Sequence, residues 1–68
     1  MDEEVFNRQL RMFLKKVGIQ SQREIEKAVR SAISAGALDA TETLTSRVVL
    51  QVPVVGINVT IEDVIKLS

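Results

Sequence analysis

The sequence predicts an α+β fold in which two N-terminal helices pack on one face of a C-terminal antiparallel hairpin, in the order αα-ββ. Three observations carry this reading. Apolar residues in the first half recur at helical spacing, and those in the second half alternate. Between Leu14 and Glu24, a helix stop lies directly beside a helix start.

The first helix is expected over about residues 3–17. Phe6, Leu10, Phe13, Leu14 and Val17 fall within an arc of about 100° when each residue advances the helix by about 100°. Arg8, Arg11 and Lys15 gather on the opposite side, with Glu4 one turn before Arg8 as an ion-pair partner. Asp2, Glu3 and Glu4 place negative charge at the positive end of the helix dipole.

Gly18 suits the left-handed residue that ends many helices, with Ile19 packing back on Leu14. Ser21 and Glu24 then form a capping box that would open a second helix. That helix is expected over about residues 22–35. Ile25, Val29, Ala32 and Ile33 form its apolar face, Arg23, Lys27 and Arg30 point away, and Glu26 precedes Arg30 by four residues. Gly36 terminates it, and a short polar linker, 37–43, comes next with Leu38 as an anchor.

Strands are expected over about residues 44–52 and 57–67, joined by the four-residue loop Pro53–Gly56. With Val52 opposite Ile57, one face pairs Leu50 with Val59, Val48 with Ile61, Ser46 with Asp63 and Leu44 with Ile65. The other face pairs Gln51 with Asn58, Val49 with Thr60, Arg47 with Glu62 and Thr45 with Val64. A slip of one residue would set apolar positions against polar ones, so this register is favoured. A bend at Glu62-Asp63 that starts a short third strand is the alternative.

All 68 residues are read as one small domain. A chain of this size buries only about 60% of its unfolded surface, and without cysteine no disulfide reinforces it. Its 46% hydrophobic content is high for so small a body. Small unstapled domains depend on excellent packing or on self-association. A two-stranded sheet with free edges points to the second, so the expectation is a homodimer joined edge to edge.

Chemistry is restricted by what the chain lacks. Without His, Cys, Tyr or Trp there is no near-neutral acid–base group, no thiolate and no common zinc ligand. Adjacent Glu62 and Asp63 point to opposite faces of a strand and form no acid–base pair. Asp39 and Glu42 have no calcium-loop spacing around them. Gly18, Gly36 and Gly56 stand alone, so no phosphate loop or dinucleotide fingerprint is present. The reading is therefore non-enzymatic, with no cofactor, metal, catalytic residue or small-molecule substrate.

A nucleic-acid-binding accessory role is the alternative, using Arg8, Arg11, Lys15, Arg23, Lys27 and Arg30 as a basic contact surface. Against it stand the zero net charge and the missing third helix of a helix-turn-helix core. A membrane-surface role would need a free apolar helix face, which this arrangement does not leave. The opening Met1-Asp2-Glu3-Glu4 has no basic or apolar leader character, so a cytoplasmic location is expected.

The segment from Phe13 to Arg30, FLKKVGIQSQREIEKAVR, resembles a family of short proteobacterial proteins of unknown function. The opening Met1–Asn7 and the alternating stretch from Thr43 to Leu67 are similar too. The resemblance implies a bacterial, cytoplasmic, free-standing small domain and transfers no site residues; the residues themselves read as a non-enzymatic interaction module with an unknown protein partner.

Overall fold

The computed structural model describes Met1–Ser68. One helix, α1, spans Glu3–Ser34. Strand β1 spans Thr43–Val52, a 3-10 turn covers Pro53–Val55, and strand β2 spans Ile57–Lys66. The chain divides into two compact units, Met1–Ala37 and Leu38–Ser68.

The first unit corrects the sequence reading: there is one helix of 32 residues, not two helices at about 3–17 and 22–35. Its backbone runs unbroken through Gly18, and only Gly36 and Gly56 take a positive φ. Magnitudes explain the outcome. Glycine inside a helix costs about 1 kcal/mol relative to alanine, and a serine cap contributes about 1 kcal/mol. A corner would leave roughly four backbone bonds unmade, with carbonyls orphaned on one side of the break and N–H groups on the other, each bond worth about 1 kcal/mol net. No proline forces the break, and Gln20 to Lys27 are mostly good helix formers. The ladder therefore outweighs the local stop signal.

Both true ends of α1 are capped. Asp2 stands in extended backbone, and its Oδ1 accepts from the N–H groups of Glu4 at 3.0 Å and Val5 at 3.1 Å. At the far end, Gly36 takes φ +72°. The Ala37 N–H donates to the Ala32 carbonyl at 2.9 Å, and the Gly36 N–H donates to that of Ile33 at 3.1 Å. This is the Schellman pattern that the sequence reading assigned to Gly18. Gly36 ends the helix as expected, where the polar linker 37–43 leads on to the alternating strand sequence, whereas helix formers follow Gly18 directly.

Continuity fixes how the helix's surfaces are oriented. At about 100° per residue, the Phe6–Val17 apolar face and the Ile25–Ile33 apolar face are centred roughly 100° apart. Two separate helices could each turn their face to a hairpin; one rod cannot turn both the same way.

The second unit adopts the expected register throughout. Strands β1 and β2 pair antiparallel from Val52 opposite Ile57 to Thr43 opposite Lys66. The loop is Pro53–Gly56. The ring of Pro53 presets the φ that starts the 3-10 turn, and Gly56 closes it in left-handed conformation, donating its N–H to the Pro53 carbonyl at 3.1 Å. Arg47 Nε meets Glu62 Oε2 at 2.6 Å across the ladder. Strand β2 runs on through Glu62-Asp63 without a third strand.

The expected core is absent: no residue in either unit is buried. A lone helix and a two-stranded ribbon are single layers, and a single layer cannot enclose its own apolar face. Phe13 is 51% exposed, and Ile61 on the apolar face of the ribbon is 57% exposed.

The two glycines of the helical unit should respond oppositely to alanine. An added Cβ at Gly18 meets open space in helical backbone, so Gly18→Ala should raise helix stability by about 1 kcal/mol. Gly36→Ala should lower it, because alanine resists φ +72°. Urea titrations monitored by far-UV circular dichroism measure both; destabilisation by Gly18→Ala would show that the chain turns there.

Candidate functional site

All six residues of the expected basic surface lie on α1. Their side chains are exposed, and none lies within 4.0 Å of a carboxylate, since Arg47–Glu62 is the one ion pair in the structure. The expected Glu4–Arg8 and Glu26–Arg30 pairs are not formed. Glu26 Oε1 instead accepts from Gln22 Nε2 at 2.9 Å. Exposed helix pairs contribute only about 0.3–0.5 kcal/mol, so a neutral neighbour competes readily.

The six cations do not share one face. On the continuous helix, Arg8, Arg11 and Lys15 centre roughly 90° away from Arg23, Lys27 and Arg30. Between them runs a shallow groove lined by Met12, Lys15, Lys16, Ile19, Gln20 and Arg23. Its floor is apolar and its rim carries three cations. Sequence reading misses this groove because it treats Ile19 as part of a corner. Once the helix is continuous, the seven-residue spacing of Val5, Met12 and Ile19 reveals it.

The carboxylates are engaged locally. Asp39 Oδ1 accepts from the Thr41 N–H at 2.9 Å and from Thr41 Oγ1 at 2.8 Å. Glu42 Oε2 accepts from the Asp39 N–H at 3.3 Å, and the Glu42 N–H donates back to the Asp39 carbonyl at 3.0 Å. These bonds tie residues 39–42 into a turn that leads into β1. The backbone bond from Thr41, and then its hydroxyl bond, hold the Asp39 carboxyl below its ordinary pKa.

Asp63 sits opposite Ser46 as expected, but it does not bond to it. Its Oδ1 accepts from the Val64 N–H at 2.7 Å. No three of the carboxylates gather into a group that could hold a metal ion. No helix is long and apolar enough to cross a membrane.

A family model described as "Family of unknown function (DUF6494)" matches residues 1–68. No match was found among curated proteins or among solved structures.

The tied turn gives a sign-specific expectation. The folded pKa of Asp39 is lowered, so its contribution is present above the unfolded value of about 3.9 and is lost as pH falls from there through the folded pKa. Thr41→Ala should therefore raise the Asp39 pKa toward the ordinary value. Carboxyl-resolved NMR titration measures it; the Thr41 N–H bond survives in the variant, so the rise should be partial, and an unchanged pKa would dismiss the Thr41 hydroxyl bond as a cause.

Proposed function

The chain belongs to that family, whose description assigns no activity, and we propose from its surfaces that it is a non-enzymatic interaction module that self-associates through its sheet edge. The observation that supports this is the absence of any buried residue. Folding an ordered chain costs about 1–2 kcal/mol of backbone entropy per residue. Apolar burial is the main offset, and neither single-layer unit provides it alone.

Strand β1 is the better pairing edge. Both strands are ten residues long and pair with each other from end to end. On β2, the Val64 N–H is already taken by the Asp63 carboxylate, which removes one donor from any neighbour. Joining β1 to β1 of a second copy would give a four-stranded sheet with a continuous apolar face. Three or more strands with such a face reach independent stability where a lone hairpin does not. The reading places the module in a proteobacterial cytoplasm, where a chain without cysteine loses nothing to the reducing conditions.

Nucleic-acid binding is the second reading, and the six unpaired cations favour it. Their separation into two triads about 90° apart means that they form no single flat basic face.

Light scattering after size exclusion should return a dimer at tens of micromolar, with a melting temperature that rises with protein concentration. Hydrogen exchange should show consecutive amides of β1 protected, where a lone hairpin protects alternate ones. A monomer with alternating protection would end the proposal. For the second reading, duplex DNA titrated at low salt should bind, and Arg23→Glu with Lys27→Glu should abolish that binding; no binding by the unaltered chain dismisses it.

A further inference from the structure

With the two-helix packing corrected, α1 leaves its largest apolar side chains uncovered. Phe6 is 47% exposed, and Phe13 and Leu14 are each 51% exposed. Together with Leu10 and Val17 they fill an arc of about 100° in which residues 5–20 place nothing polar. Glu3, Ser21 and Glu24 stand in the same arc just outside those limits, so the face ends there. Over 5–20 it is about 24 Å long, at a rise of about 1.5 Å per residue.

Charge is sorted along the same segment. Residues 5–20 contain Arg8, Arg11, Lys15 and Lys16 and none of the nine Asp and Glu residues of the chain. The whole chain carries nine cations as well, so the excess in this segment is offset elsewhere. None of the four is in an ion pair, since the one ion pair joins Arg47 to Glu62.

The placement of these cations selects the partner. Arg11 stands roughly 115° from the centre of the apolar arc on one side, and Lys16 roughly 105° on the other. Arg8 and Lys15 lie roughly 150° or more away, on the far side with the groove at Met12 and Ile19. A protein partner would have to set separate carboxylates beside both borders. A bilayer with anionic headgroups presents negative charge along both borders everywhere on its surface, over an apolar interior that accepts the face between them.

We infer that residues 5–20 of α1 bind in the plane of an anionic membrane surface. Phe6, Leu10, Phe13, Leu14 and Val17 enter the acyl boundary, and Arg11 and Lys16 reach back to the phosphates. Long cationic side chains bury their stems in this way and keep their charged ends in the polar layer. The helix lies on the bilayer and does not cross it, since it is not long and apolar enough to do so. The contact goes beyond the sheet-edge reading, because strand β1 lies outside residues 5–20 and needs no lipid.

Co-flotation of the full chain with vesicles of phosphatidylcholine and phosphatidylglycerol in equal parts tests it, beside vesicles of phosphatidylcholine alone. The chain should float with the first at low salt, bind the second about tenfold or more weaker, and detach as salt screens the headgroups. Arg11→Glu with Lys16→Glu should weaken binding by about tenfold or more, and Leu10→Gln with Phe13→Gln likewise. Far-UV circular dichroism checks that α1 persists in both. Phe13→Trp keeps the apolar face, and its emission should shift to the blue and be quenched by brominated acyl chains. A chain that ignores anionic vesicles, binds both kinds alike, or binds with the tryptophan unquenched overturns the inference. So does binding of duplex DNA without binding of vesicles, which assigns the cations to nucleic acid. Light scattering without lipid reads the sheet-edge dimer separately, so failure of either reading leaves the other standing.

Discussion

The unbroken backbone ladder through Gly18 constrains everything else in the helical unit. It converts two short amphipathic segments into one rod and locks their apolar faces at a fixed rotation. It also separates the basic triads and creates the groove at Met12 and Ile19. Each of these depends on about 4 kcal/mol of backbone bonding exceeding about 2 kcal/mol of local stop signal.

The hairpin depends on different terms. Its register is set by alternation, with apolar residues against apolar on one face and Arg47 against Glu62 on the other. The ion pair is exposed, so its contribution is small, about 0–1 kcal/mol, and its main effect is to disfavour slipped pairings. The 3-10 turn from Pro53 to Gly56 adds a loop whose two φ values, one preset by the proline ring and one left-handed, cost little for these residues.

Legibility in the sequence divides along the same line. The hairpin is legible pair by pair, because the register is overdetermined: every position votes, and a slip spoils all of them together. Loop, pairing partners and register are all contained in the alternation; the bond from the Val64 N–H to Asp63 Oδ1 is not. The helix is misread because a cap motif is a local statement worth about 1 kcal/mol. Gly18 with Ser21 and Glu24 has the composition of a corner, yet composition does not say whether tertiary packing will compensate the broken ladder. Gly36 has the same chemistry and does end the helix, since the turn tied at 39–42 and then the strand follow it. The basic residues are legible as exposed, but their grouping into one surface fails once helix continuity rotates one triad away from the other.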